Sequence, residues 1–262
     1  MYIPARSAGV LAGSSFTPKS LSGLLCWLDA SDASTITKDV SNLVSAWTDK
    51  SGNSYGVAQS TETNKPLWLT SGIGGKAALQ FVSDNYLSFS SGGLDILRNR
   101  AGYSIFMSLY LDTGAVTVDY AYFLFFSKGD SSSSLRYQLG LRNFAGIGTY
   151  HAWRRLDANS LATNDSTLNY WTEGNARILH SIADFSAGTL KTYRDNVTGA
   201  LVSSTPTTGS TSDTASLAAN VGSAAGEAAN FRIGELIIYD SALSDASRAK
   251  VETYLKTKWG VS

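Results

Sequence analysis

The sequence predicts an all-β fold closed by a single C-terminal helix. Three observations carry this. Short runs rich in Val, Ile, Leu, Phe and Tyr recur from residue 24 to residue 240, several alternating with period two. Ser, Gly, Asn and Asp separate them, as in sandwiches and barrels. Helical periodicity is strong in one place only, near the C-terminus. Finally, 262 residues, 43% of them hydrophobic, suffice for one domain with a sizeable core.

Residues 1–19 contain Pro4 and Pro18, with Gly and Ser and no periodicity, and read as an extended N-terminal arm; residues 20–262 read as the folded domain. Strands are expected at 24–29 (LLCWLD), 77–82 (AALQFV), 86–89 (YLSF), 103–111 (YSIFMSLYL) and 120–127 (YAYFLFFS), then at 136–141 (RYQLGL), 177–184 (RILHSIAD), 189–195 (TLKTYRD) and 231–240 (FRIGELIIYD). Cys26 reads as a small apolar core residue of the first. In TLKTYRD, Thr189, Lys191, Tyr193 and Asp195 share a face. In FRIGELIIYD, Phe231, Ile233, Glu235, Ile237 and Tyr239 do, which predicts one wetter face for each strand. GIGGKAAL (72–79) looks like a phosphate loop, but Ala77 replaces the required Ser/Thr and the first glycine is misplaced, so it is a turn. LDILRNR (94–100) suggests one or two helical turns, while 127–135 and 203–230 are low in complexity and read as exposed loops. In SDASRAKVETYLKTKWG, Ser244 is placed to cap the helix with Asp245 in its first turn. Val251, Tyr254, Leu255 and Trp259 follow helical spacing, and Gly260 stands at the C-cap.

Composition excludes several functions. Lys+Arg and Asp+Glu both count 21, so no basic surface predicts nucleic-acid binding. The longest apolar run, YAYFLFF (120–126), is too short to cross a bilayer, and no secretory leader is recognisable, so a soluble chain without membrane contact is expected. One cysteine permits neither an intrachain disulfide nor a thiolate metal cluster. His151 and His180 show no H-E-x-x-H spacing, no G-x-S-x-G elbow exists, and no two of the five Glu share a strand at i, i+2 or i, i+4 as paired-carboxylate hydrolysis would favour. No catalytic residues, no enzymatic activity and no cofactor are therefore expected. Calcium alone has candidate ligands, Asp84 and Asn85, which turn formation explains as well. NDS (164–166) and NVT (196–198) match the N-glycosylation pattern and are equally explained as turns.

The densest polar-aromatic stretch is TYHAWRRLDANS (149–160). With the following loop it offers Tyr150, Trp153, Tyr170 and Trp171 beside Arg154, Arg155, Asp157, Asn159 and Asn169. Aromatic faces stack on the apolar side of a sugar ring, and Asn, Asp and Arg bond its hydroxyls. Tyr150, Trp153, Arg154, Asn159, Tyr170 and Trp171 are thus the candidate carbohydrate-binding residues. The bland alternative is that the tryptophans pack against the sandwich edge while the arginines pair with Asp157.

LSGLLCWLDASDAS, followed by the W-x-D-x-S-G-N turn of Trp47, Asp49, Ser51, Gly52 and Asn53, and then GIGGKAALQF, resembles LamG-like, concanavalin A-like lectin/glucanase domains of bacteriophage virion proteins. SDNYLSF, RRLDANS and the ending RIGELIIYDSALSDASRAKVETYLKTKWG extend the resemblance over roughly residues 21–260. It implies a jelly-roll β-sandwich of two antiparallel sheets and a virion location, as capsid decoration or tail fibre. It also implies a non-catalytic surface protein with host-cell glycans, other virion proteins and further copies of the chain as partners. The arm would be the anchor to the particle, with Tyr2, Ile3 and Phe16 as its apolar contacts. Since RRLDANS belongs to the shared pattern, its Arg and Asp are better explained as a loop brace than as catalysts. The chain lacks the E-x-D-x-E strand of the glucanase branch, and Ser83 and Asn85 interrupt the usual acidic run, which weakens a calcium site. The alternatives are a polysaccharide-degrading enzyme on the same fold and a purely structural virion component.

Overall fold

The computed structural model describes residues 16–82, 84–89, 96–97, 100–112, 120–127, 136–144, 147–156, 160–165, 173–184, 186–195, 197–203, 214–217 and 230–262. In chain order its strands are β1 (Leu24–Asp29), β2 (Ile36–Lys38), β3 (Val44–Trp47), β4 (Val57–Ala58), β5 (Leu67–Ile73), β6 (Lys76–Phe81), β7 (Leu87–Phe89), β8 (Gly102–Leu111) and β9 (Tyr120–Ser127). They continue with β10 (Arg136–Phe144), β11 (Ile147–Leu156), β12 (Ser160–Asp165), β13 (Ala176–Asp184), β14 (Thr189–Arg194), β15 (Val197–Ser203), β16 (Thr214–Leu217) and β17 (Phe231–Tyr239), and the chain closes with helix α1 (Asp245–Trp259). The first sheet runs β15-β14-β13-β8-β17-β6-β5, with β1 also paired to β17. The second runs β12-β11-β10-β9-β16-β7-β4-β3-β2. All pairings are antiparallel, and the architecture is the predicted jelly-roll sandwich with a C-terminal helix.

The two sheets bury one core between them. Leu28, Leu79, Phe81, Ile105, Leu109, Phe231 and Ile233 of the first sheet meet Val44, Trp47, Leu87, Phe123 and Leu139 of the second. The Phe123 ring stands edge-on to Phe231 at 4.8 Å, and Phe231 stacks on Phe81 at 5.4 Å, so these rings tie the layers together. Cys26 is fully buried here, and burial pushes its thiol well above the ordinary range, as suits the inert core residue expected.

Helix α1 covers the outer face of the first sheet. Its ends follow the sequence reading: the Ser244 hydroxyl accepts from Ser247 N, and Gly260 is left-handed at φ 67°. Val251, Leu255 and Trp259 are buried against Trp27, Ile73, Phe106, Ile178, Ile237 and Tyr239. Because helix and second sheet sandwich the first sheet, β17 has no wet face, contrary to its predicted alternation. The register shifts between Ile233 and Glu235, a bulge at Gly234. Phe231 and Ile233 therefore point to the inter-sheet core, while Ile237 and Tyr239 point to the helix. Only glycine fits there, since a Cβ on Gly234 would lie 2.7 Å from the Trp259 ring and 2.6 Å from Ser108 Oγ.

Three other expectations need revision. Of 94–100, Ile96 and Leu97 form a turn with Ile96 fully buried, and no helix is described there. Part of the expected loop 203–230 is a strand, since β16 pairs with both β7 and β9 and completes the middle of the second sheet. The arm is docked at its end: Pro18 is buried in a 3-10 turn, and its carbonyl accepts from the Tyr239 hydroxyl at 2.9 Å.

GIGGKAAL is the β5–β6 hairpin. Ile73 pairs with Lys76 across Gly74 and Gly75, which have φ of 53° and 76°. Two positive φ values suit the twist of the flanking strands. Gly75→Ala meets no atom within 4 Å, so it should cost only the left-handed conformation, about 1–2 kcal/mol. Gly74→Ala would also drive its Cβ to 2.3 Å from the Trp259 carbonyl oxygen. It should lower the denaturation midpoint clearly more than Gly75→Ala, and equal losses would contradict this packing.

Candidate functional site

The acidic residues of the N-terminal motifs serve as braces. Asp49, in the turn after β3, accepts from Trp27 N at 2.8 Å, Ser51 N at 2.8 Å, Ser51 Oγ at 2.6 Å and Tyr55 N at 3.0 Å. Ser51 Oγ and the Asn53 amide donate to the carbonyls of β1. The W-x-D-x-S-G-N turn thus fastens β3 of the second sheet to β1 of the first.

The sequence sets no two glutamates along one strand, but the structure pairs two carboxylates across two strands. Asp29 of β1 stands opposite Glu235 of β17. Glu235 is fully buried beneath α1 and accepts four hydrogen bonds: Trp27 Nε1 at 2.6 Å, Tyr254 Oη at 2.9 Å, Lys258 Nζ at 2.8 Å and Trp259 Nε1 at 2.9 Å. Lys258 also reaches Asp29 at 2.8 Å, and Lys50 reaches Asp29 at 3.0 Å and Asp32 at 2.8 Å. Burial pushes the Glu235 carboxyl up and the Lys258 ammonium pulls it back. Four donors with no acceptor among its strong partners suit the ionised, acceptor-only form. Every oxygen of this pair is engaged inside the helix–sheet interface, so the geometry locks α1 in place and presents no acid or base to a substrate.

A second buried polar group lies nearby. His180 of β13 is fully buried, stacked between Phe106 at 4.9 Å and Tyr193 at 4.4 Å. Neither ring nitrogen has a hydrogen-bond partner; Nε2 lies 3.8 Å from Glu252 Oε2, which accepts from Arg248 Nη1 at 2.9 Å. Burial, and then the Arg248 guanidinium, hold the imidazole well below its ordinary pKa, so it is neutral.

Of the expected sugar-binding residues, Tyr150, Trp153 and Arg154 all fall on β11, which also carries His151 and Arg155. Trp153 stands opposite Gln138 of β10 and Thr163 of β12, one strand in from the sheet edge. RRLDANS is expected to brace a loop, but its Arg154, Arg155 and Leu156 belong to β11 and its Ser160 opens β12. Asn159, Tyr170 and Trp171 lie outside the described residues, as do Asp157, Asn169, Tyr2 and Ile3. Phe16 packs within its own chain, edge-on to Tyr254 at 5.9 Å. At the calcium candidates, the Asn85 amide oxygen accepts from Val82 N at 3.1 Å, and its nitrogen donates to the Thr63 carbonyl, while Asp84 is exposed beside it. These contacts make Asn85 a turn brace. Among the described residues, no three His, Cys, Asp or Glu side chains gather as a metal site would need.

No family model matches the chain, and no curated protein matches it. Among solved structures it is similar to the binding domain of Paraclostridial Mosquitocidal Protein 1, with TM-score 0.63 and 11% identity over 92% of this chain and 53% of that one. The receptor binding domain of botulinum neurotoxin D gives TM-score 0.63 and 11% identity over 88% of this chain and 52% of the other. The CBM40 of the Ruminococcus gnavus IT-sialidase, bound to α2,3-sialyllactose, gives 0.50 and 14% over 62% and 87%. The chain spans about half the length of the two toxin domains. At these identities the likeness shows a shared β-sandwich fold.

Proposed function

We propose that this chain is a non-catalytic, lectin-like binding module on the surface of a bacteriophage particle, as capsid decoration or tail-fibre component, that contacts host-cell glycans. The observation that carries the glycan reading is β11. It places Trp153 one strand in from the edge of a sheet, on the face opposite to Tyr150 and Arg154, on a fold shared with a sialyllactose-bound domain. The absence of catalysis is supported by the use of Asp29, Asp49 and Glu235 as braces. The phage setting is supported by the sequence resemblance of the two ends. Among the described residues no helix is long and apolar enough to cross a membrane.

Glycan-array binding without release of new reducing ends is the expected result. Trp153→Ala or Trp171→Ala should lower affinity while changing stability by no more than about 0.5 kcal/mol, as surface substitutions do. If both changes unfold the domain, the residues are core and the site fails. Turnover of a host polysaccharide would favour the enzyme on the same fold, and the absence of any glycan binding would favour a purely structural virion protein.

The arm is the proposed attachment to the particle, through Tyr2 and Ile3, since Phe16 is engaged by α1. Deleting residues 2–15 should leave Tm nearly unchanged and abolish incorporation into particles. Normal incorporation would refute the anchor.

A further inference from the structure

A groove of about 630 Å³ runs between α1 and the segment leading into β1, on the helix layer rather than on the sheet that holds β11. Its size falls within the range of small-molecule sites. Phe16 and Tyr254, meeting edge-on at 63°, give it an aromatic wall. Thr253 and Thr257, one helical turn apart, line the same side and are both exposed.

The charges along the groove are one-sided. Lys250 and Lys258 line it and no carboxylate does. The Lys258 ammonium is committed to Glu235 and Asp29, so it contributes only its methylene stem. Lys250 is exposed and has no ion-pair partner among the described residues, which leaves one free cation beside an aromatic wall and two hydroxyls. A ligand matching all three needs an apolar ring face, hydroxyls and an anionic group. We propose that this groove binds a carboxylated monosaccharide unit, of the uronic or sialic acid class. The ring face lies on Phe16 and Tyr254, its hydroxyls meet Thr253 and Thr257, and its carboxylate meets Lys250 in a charge-assisted contact.

This rests on the glycan-binding reading but places a second site away from β11, so the two can fail separately. The test is NMR titration of the full chain with galacturonic acid, N-acetylneuraminic acid and neutral galactose. Lys250→Glu and Trp153→Ala are compared in parallel, with thermal denaturation confirming that both variants fold. The expected result is preference for at least one acidic sugar, loss of at least tenfold in affinity with Lys250→Glu, and no change with Trp153→Ala. Phe16→Leu should weaken binding while keeping an apolar contact to the helix. Acidic-sugar binding that Lys250→Glu leaves intact, or equal binding of galactose, overturns the groove. Neutral glycans bound only through Trp153 overturn the groove and spare the module, whereas no sugar bound anywhere overturns both.

Discussion

Glu235→Ala should cost about 3–5 kcal/mol of folding stability, the range for removing one partner of a buried charge network. The change strips the acceptor from two buried indole N–H groups, a tyrosine hydroxyl and an ammonium at once. Lys258 would retain Asp29, but the two tryptophans sit where water does not reach them. Glu235→Gln is expected to recover part of the loss. It keeps one acceptor oxygen but turns amide hydrogens toward donors. Replacing both sides, as in Glu235→Leu with Lys258→Met, should be no milder than Glu235→Ala, because it also strips the buried Asp29 of Lys258 and leaves it Lys50 as its ion-pair partner. Urea denaturation measures all three. A loss below about 1 kcal/mol for Glu235→Ala, the worth of one ordinary hydrogen bond, would show that the network does not hold the helix.

The second large effect is a loss of stability in mild acid caused by His180. Its folded pKa is depressed by burial and by Arg248, so below the ordinary imidazole value of 6.5 the unfolded chain takes up a proton that the folded chain refuses. Stability should therefore be intact above that pH and fall as pH drops through it, with a limiting slope of about 1.4 kcal/mol per pH unit for one proton. The groups facing the ring are Phe106 from β8, Tyr193 from β14, and Arg248 and Glu252 from α1. Only Glu252 among them favours a proton, and Arg248 already pairs with it. Glu235 acts with the opposite sign, since its raised carboxyl pKa gives stability that declines as pH rises through it. Comparing the native chain with His180→Phe, which keeps the ring stack, isolates the histidine. Between pH 7.5 and pH 5 the native chain should lose more stability than the variant, and parallel curves would exclude His180 as the source.

Much of the architecture was legible because it rests on local pattern. LLCWLD and YAYFLFFS are strands at the predicted residues, and Ser244, Gly260 and the apolar stripe of α1 carry their signals in sequence. What escaped depends on partners far along the chain. β16, four residues of TASL, has little propensity and exists because β7 and β9 pair with both of its edges. β11 looked like a loop because its polar residues hid a strand set between β10 and β12. The face swap in β17 needed one clue, Gly234, which marks a bulge where the backbone passes under Trp259. For the site, sequence grouped Tyr150, Trp153 and Arg154, which β11 divides between its two faces, and could not find the Asp29–Glu235 pair, whose members are 206 positions apart and meet only through strand register. The Tyr254, Lys258 and Trp259 spacing on one helix face was the available hint.

The place of β17 in the first sheet also dictates when the domain can be finished during synthesis. β17 separates β8 from β6 and, among the described strands, is the one partner of β1, so before it emerges from the ribosome the described strands of the first sheet can pair only as β5-β6 and β8-β13-β14-β15, with β1 alone. Each fragment presents unpaired edges of a kind that invites pairing with other chains. The residues that close those edges follow all of those strands in the chain, and the lid over them, α1, comes directly after. Completion therefore waits for β17 and is dominated by long-range contacts, a regime in which folding is slow. A nascent chain of this protein keeps those edges open until residues 231–259 have emerged, which makes that interval, rather than the sequence of any one strand, its point of greatest exposure to aggregation.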